Sequence, residues 1–250
     1  MTTFRNGSCD FYDLGALSRK LPNQSRFKKL KGLVHKSIIT QSCHSDMELA
    51  WECFEQLKKI CLDVQEEGSD EISMVQYSLL STAIGLYNRA TISSANKGAR
   101  GAIDIRKKLN PDQLRDHDFV SEIRNKGLAH FYNGHKFQGR VWNNDEVFLV
   151  DIRRGWRILG ISLRAKIDEE MLEFIERTFS AARQILSDRS NERSDELIGY
   201  LMENPLDDNL LVECRIDPIN SFLSSEVLSD AVKMLNESKP FEKRRTRHNF

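Results

Sequence analysis

Residues 168–186 read DEEMLEFIERTFSAARQIL, and this stretch gives the clearest indication of the fold. Its apolar side chains recur at steps of three and four residues, which is the spacing of one face of an α-helix. Asp168 stands directly before the periodic run and is predicted to cap the helix. Apolar residues at Leu197 and Leu201 allow the helix to extend or restart before Pro205. A long amphipathic helix of this kind buries its apolar face against other helices.

Helices of the same type are predicted upstream. Residues 25–37 form a short basic helix, and Asp46 is predicted to cap a separate, longer helix behind it. Another helix follows Asp70 and ends near Thr91. A third begins after Pro111, with Asp112 as its predicted cap, and carries the following apolar residues toward the core: Leu114, Phe119, Ile123 and Leu128.

A different pattern appears between this helix and the long one at residues 168–186. Residues 141–150 and 156–163 are rich in β-branched and aromatic side chains, and Gly155 lies between the two runs. This pattern predicts a β-hairpin. A further strand is predicted at residues 210–214. The sequence therefore predicts a mainly α fold, a bundle of four to five helices with a small β-hairpin insertion at residues 141–163.

Composition restricts where and how the protein works. The five cysteines are odd in number and scattered among 250 residues, which favours reduced thiols in a reducing compartment. The sequence contains neither a signal-peptide pattern nor an apolar run of membrane-spanning length. We therefore expect a soluble cytoplasmic protein without membrane association.

Charge is balanced overall, with 37 basic and 37 acidic residues, but uneven along the chain. Residues 1–36 carry eight Lys or Arg against two acids, whereas residues 191–238 carry eleven acids against three bases. The last residues from Lys239 onward are again basic. This asymmetry is typical of a protein that binds a polyanion, and equally of solvated ends on a globular domain.

The candidate chemistry lies in Ile123-Arg-Asn-Lys-Gly-Leu-Ala-His-Phe131. Arg124 is permanently charged and presents a planar set of donors that matches a phosphate, while His130 exchanges a proton near neutral pH. On a regular helix, residues six apart diverge by about 120°. The two side chains therefore meet only if the helix ends or bends, which Gly127 favours, or if two chains face each other.

An Arg, a polar residue and a His after five intervening positions resemble the signature of the HEPN superfamily (higher eukaryote and prokaryote nucleotide-binding). Arg124, Asn125 and His130 match it, and Leu86-Tyr-Asn-Arg89 on the preceding helix adds to the likeness. The resemblance covers roughly residues 46–190 and is strongest to bacterial members from toxin–antitoxin and abortive-infection systems. It implies a metal-independent endoribonuclease of a toxin–antitoxin or antiviral defence system. Such an enzyme needs no cofactor and works as a homodimer, with the two motif helices facing one another across a cleft where the RNA is cleaved.

The resemblance also implies roles for individual residues. Arg124 neutralises the scissile phosphate, His130 acts as general acid or base, and Asn125 orients one of them. Tyr132 is a candidate modification site for a nucleotidyltransferase partner, although a packed aromatic at a helix end explains it equally. An antitoxin is the other partner type implied.

Further residues are candidates for RNA binding. They are Lys126 beside the motif, His117 one heptad earlier, and Arg153 and Arg154 at the hairpin turn. His117 and His135 are expected at the surface, with His117 bordering the cleft, and Glu122 is expected to form an ion pair. Exposed turn arginines are common in any protein, so Arg153 and Arg154 also fit a purely solvated role.

The sequence divides into a basic N-terminal lead (1–45), a HEPN-like domain (46–190), an acidic helical extension (191–238) and a basic disordered tail (239–250). Two other functions stay open. One is a catalytically inactive HEPN module that binds RNA, nucleotide or a protein partner. The other is a plain helical interaction protein, in which Arg124 and His130 have structural roles.

Overall fold

The computed structural model describes residues 11–63, 70–92, 100–128, 136–137, 140–141, 143–152, 155–164 and 167–217. The chain divides into two compact units, one of residues 39–189 (the central unit) and one of residues 1–38 and 190–250 (the terminal unit). The described residues of the terminal unit are 11–38 and 190–217. No helix in the described ranges is long and apolar enough to cross a bilayer.

The described residues form a mainly helical protein, which confirms the predicted fold class. Its helices are α1 (Leu14–Lys20), α2 (Ser25–Asp63), α3 (Asp70–Thr91), α4 (Pro111–Glu122), α5 (Glu169–Glu203) and α6 (Asp208–Glu213). Arg106–Lys108 form a 3-10 turn, and a π-helix at Ile123–Leu128 continues α4. The strands are β1 (Phe11–Tyr12), β2 (Lys136–Phe137), β3 (Arg140–Val141), β4 (Asn143–Ile152), β5 (Gly155–Arg164) and β6 (Arg215–Ile216).

The central unit has its core between α2, α3, α4 and α5. Tyr87 of α3 is fully buried and stacks on Phe179 of α5, with ring centroids 4.9 Å apart and planes within 7°. Phe54 of α2 meets the same Phe179 edge-on at 5.8 Å. Beside them, Phe119 of α4 packs on Phe174 of α5 at 4.9 Å. This chain of aromatic contacts links all four helices of the bundle.

The prediction that Asp46 caps a new helix is wrong. α2 continues without a break from Ser25 to Asp63. Cys43 and Met47 are both fully buried, so the apolar face of the helix already passes through this region. The Asp46 carboxylate instead accepts hydrogen bonds from the guanidinium groups of Arg89, at the end of α3, and Arg100.

The predicted start of α4 also needs correction, whereas the predicted start of α5 is confirmed. Asn110, not Asp112, caps α4. Its side-chain oxygen accepts a 2.9 Å hydrogen bond from the backbone N–H of Gln113, and the backbone N–H of Asn110 donates a 3.0 Å bond to the side-chain oxygen of Gln113. Pro111 is compatible with this capping box, because it occupies the first helical position, where no donor is needed. Asp168 caps α5 as predicted, through a 3.0 Å bond from the Met171 amide.

The terminal unit contains α1, α6, the part of α2 up to residue 38 and the part of α5 from residue 190. Leu17, Leu30 and Leu197 are among its buried residues. The predicted strand at residues 210–214 is wrong, because Asp207 caps the short helix α6 there. The strand is the next two residues, Arg215–Ile216, which pair with Phe11–Tyr12.

The hairpin of β4 and β5 agrees with the prediction. Its register runs from Asn143 opposite Arg164 to Ile152 opposite Gly155. Gly155 has φ +123°, a conformation that other residues rarely adopt, so the glycine is required where β5 begins. Residues 153–154, between the strands, lie outside the described ranges.

The Asp46 cluster supplies the first test of the fold. Burial alone raises the pKa of Asp46, but hydrogen bonds from Arg89 and Arg100 outweigh it and hold the pKa below its usual value. We expect Asp46→Asn to lower the free energy of unfolding by about 1–3 kcal/mol at pH 7, because hydrogen bonds to a charged acceptor are lost. Urea titration measures the difference.

Because the folded-state pKa is depressed, this stabilisation is complete above the unfolded-state pKa and disappears as the pH falls through the folded-state value. The gap between parent and variant should therefore close in acid. Glu52→Gln, at an exposed site on the same helix, serves as the control and should leave stability unchanged. A constant gap down to pH 2 would contradict the assignment.

Candidate active site

The motif residues Arg124, Asn125 and Lys126 lie on the π-helix that continues α4. Ile123 and Gly127 are buried, which anchors this turn to the core, while Arg124 and Asn125 are exposed. A π-turn inside a helix is rare and occurs frequently at functional sites. The structure therefore presents the arginine of the motif at a local irregularity in the helix, on its solvent side.

The Arg124 guanidinium is oriented by its neighbour. Its Nη1 donates a 2.9 Å hydrogen bond to Asn125 Oδ1. Among the described residues it has no carboxylate partner. Arg115, on the same helix, pairs with Asp112 at 2.7 Å, and Arg106 pairs with Asp118. As far as the described residues show, Arg124 is thus an exposed cation with donors beyond the bond to Asn125 that an external anion can accept from.

Lys126 has a different environment. Its ammonium lies 2.5 Å from a carboxylate oxygen of Glu122, one turn earlier. This contact confirms the expectation that Glu122 forms an ion pair. A lysine in this state binds a phosphate only by sharing or exchanging its carboxylate partner, so its predicted role in substrate binding is weaker than that of Arg124.

The expectation that His117 lies at the surface is wrong. Its side chain is 1% exposed, and its Nδ1 lies 2.6 Å from the Tyr87 hydroxyl. Burial lowers the pKa of His117, with Asp118 opposing that effect, so the ring is neutral at pH 7. The hydroxyl of Tyr87 satisfies the imidazole inside the protein, which is why a histidine tolerates this position.

A cavity of about 210 Å³ lies beside His117. No described residue bonds to the Nε2 of this ring. Ser121 follows His117 by four residues, so both lie on one face of α4, and Arg124 comes three residues later on the π-helix. The cavity is lined by Thr91, Ile92, Ala102, Asp104, Arg106, His117 and Ser121. It is a polar recess one turn before the exposed arginine.

The remaining predicted site residues lie outside the described residues. They are His130, Tyr132, His135, Arg153 and Arg154. The general acid or base of the motif and the turn arginines therefore stay predictions. Sequence reasoning missed the Tyr87–His117 pair, since nothing in the spacing of residues 30 apart along the chain indicates a contact.

Comparisons with models of known protein families, with curated proteins and with solved structures found no match. The HEPN assignment therefore rests on the motif residues and their context in this chain.

The buried histidine gives a test by pH. Because its folded-state pKa is lowered, protonation favours the unfolded chain, and stability present above pH ~6.5 is lost as the pH falls toward the folded-state value. We expect the parent to lose stability between pH 7 and 5 at up to about 1.4 kcal/mol per pH unit. His117→Gln, which keeps a hydrogen-bonding group for Tyr87, should lose less over that range.

Denaturant midpoints measured at several pH values test this expectation. His35→Gln removes an exposed histidine and is the matched control, expected to follow the parent. Identical pH profiles for His117→Gln and the parent would rule out titration of the buried ring as the cause.

Proposed function

We propose that this chain is a metal-independent endoribonuclease of the HEPN type, acting in a toxin–antitoxin or antiphage defence system. The observation that carries the proposal is the state of Arg124. It is an exposed arginine on a π-turn, held by Asn125 and without a carboxylate partner among the described residues. A guanidinium in this state is suited to a phosphodiester, whose charge it neutralises through paired hydrogen bonds.

The proposed reaction is attack of the ribose 2′-oxygen on the adjacent phosphorus. The bond from phosphorus to the 5′-oxygen breaks, and a 2′,3′-cyclic phosphate forms. His130 removes the proton from the 2′-hydroxyl or donates one to the departing 5′-oxygen. Arg124 binds the non-bridging oxygens more strongly as their charge grows, which lowers the barrier. No step requires a metal ion.

The orientation of Arg124 supports the role proposed for Asn125. A single hydrogen bond of 2.9 Å restricts the guanidinium to part of its rotamer range. Holding the phosphate-binding guanidinium in one orientation before the substrate arrives reduces the entropy lost in binding and in the transition state. Asn125 is therefore proposed as a positioning residue for Arg124.

The polar recess beside His117 is a candidate binding site for the nucleotide next to the scissile phosphate. It is lined by the imidazole of His117, the carboxylate of Asp104 and the hydroxyl of Ser121, which lies three residues before Arg124. We propose that it accepts a base or ribose next to the scissile phosphate. Both an antitoxin and a nucleotidyltransferase acting on Tyr132 are proposed partner types, each blocking access to the motif.

Cleavage of total RNA in EDTA tests the proposal. The parent should produce fragments with 2′,3′-cyclic phosphate ends and should leave DNA intact, because DNA lacks the 2′-hydroxyl. Arg124→Ala should reduce the rate roughly 10²–10³-fold through loss of charge stabilisation. His130→Ala should reduce it ~10²–10⁴-fold.

Arg115→Ala is the matched control. This arginine is exposed on the same helix, with a side chain 79% accessible and an acidic partner, and its loss should leave cleavage near the parental rate. Binding of RNA without cleavage by the parent would identify an inactive binding module instead. A strict need for magnesium would contradict the mechanism.

A second test concerns the homodimer. If each cleft combines the two chains, mixing Arg124→Ala protein with His130→Ala protein should give heterodimers that carry one mixed site. Their rate should differ from that of either variant alone. A mixture that only averages the two separate rates would show that each chain works by itself.

A further inference from the structure

The hairpin of β4 and β5 carries an apolar surface that the described part of the chain leaves exposed. Paired residues of an antiparallel ladder share a face, and faces alternate along each strand. One face therefore carries Val147, Leu149, Trp156, Ile158 and Gly160, with Asp145 and Asp151 of β4 at its two ends, and we name it the Trp156 face. Its four large side chains are 61–76% exposed.

The opposite face is more protected. Phe148, Ile152, Leu159 and Ile161 are 39–49% exposed. A two-stranded ribbon standing alone is only marginally stable in water. A face of mainly apolar side chains that is two-thirds accessible is therefore expected to find a partner surface.

The size of the Trp156 face suits a dimer. Its four large side chains leave on the order of 500 Å² of apolar surface in solvent. Two such faces packed together would bury about 1,000 Å², which is the lower limit for a specific interface. A second copy of the same chain supplies a surface of matching area and character.

Charge on the hairpin selects the arrangement. β4 carries Asp145, Glu146 and Asp151 and no basic residue, whereas β5 carries Arg157 and Arg164 and no acid. If two hairpins pair edge to edge about a two-fold axis perpendicular to the sheet, β4 lies beside the partner's β4, or β5 beside the partner's β5. If they stack face to face about an axis that runs across the strands, β4 lies over the partner's β4. Both arrangements bring like charges together.

A two-fold axis parallel to the strands avoids this conflict. It stacks β4 of one chain over β5 of the other about 10 Å away, so that Asp145 and Asp151 lie over Ser162 and Trp156 of the partner subunit and not over the partner's acids. Val147 then lies over Gly160 of the partner subunit, where a Cβ would meet nothing within 4 Å. Leu149 lies over the partner's Ile158. A large residue thus faces a small one, and two aliphatic residues face each other.

We propose that the Trp156 face is a homodimer interface in which two hairpins stack in parallel about a two-fold axis along the strands. The proposal does not rest on ribonuclease activity. Sedimentation reads the oligomeric state alone, so its failure and that of the proposed function are distinguishable.

Opposite charges introduced at two contacting positions of the interface test the arrangement. Leu149→Asp and Ile158→Arg each put a charge into the contact, and each variant should sediment as a monomer at micromolar concentrations where the parent is a dimer. An equimolar mixture of the two should sediment as a dimer. In the mixture one carboxylate faces one guanidinium, while the second Leu149–Ile158 contact is kept. Neither of the two other packings creates this pairing.

Leu62→Asp is the matched control, because Leu62 and Leu149 are the same residue type with the same exposure of 66%. This variant should remain a dimer. Three results would each overturn the proposal: a parent that is monomeric throughout the micromolar range, single variants that stay dimeric, or a mixture that stays monomeric. Circular dichroism of every variant should match the parent, since the substituted side chains are largely exposed.

Discussion

The contact between the Tyr87 hydroxyl and His117 Nδ1, 2.6 Å long and fully buried, fixes how α4 lies against α3. Tyr87 also stacks on Phe179 of α5, so one side chain sets the relative positions of three helices. A polar pair in an apolar core has few alternative arrangements, because any other leaves a buried group unsatisfied. The π-turn with Arg124 follows α4 directly. Its position on the bundle therefore depends on this pair.

Sequence periodicity was sufficient for the helices and the hairpin, because these depend on which face of an element is apolar. It failed at acidic residues that could either cap a helix or bind a basic side chain. Asp46 and Asp112 both resemble helix caps, yet Asp46 binds two arginines inside α2, and Asn110 takes the capping position of α4. The choice is made by contacts with residues distant in sequence, such as Arg89, which a local pattern does not contain.

The same distinction applies to the candidate site: local spacing identified some of its residues, whereas contacts with distant residues decided the place of others. Arg124 and Asn125 were identified from spacing and residue type, and the structure adds a hydrogen bond and an exposed π-turn. His117 was assigned to the surface because a polar residue on an amphipathic helix usually faces water. Its buried partner Tyr87 reverses that assignment, and the His117 side chain lines the recess next to the motif. The rest of the motif, from residue 129 to Tyr132, lies outside the described residues.

The central claim is that Arg124 contacts an RNA phosphate, and the salt dependence of binding tests it most directly. A short single-stranded RNA with 2′-O-methyl groups binds without being cleaved. Each phosphate contact contributes about 0.7 to the slope of log K against log salt concentration. Fluorescence anisotropy should give a slope smaller by about 0.7 for Arg124→Ala, and an unchanged slope for Arg115→Ala. Equal slopes for the parent and Arg124→Ala would contradict the account.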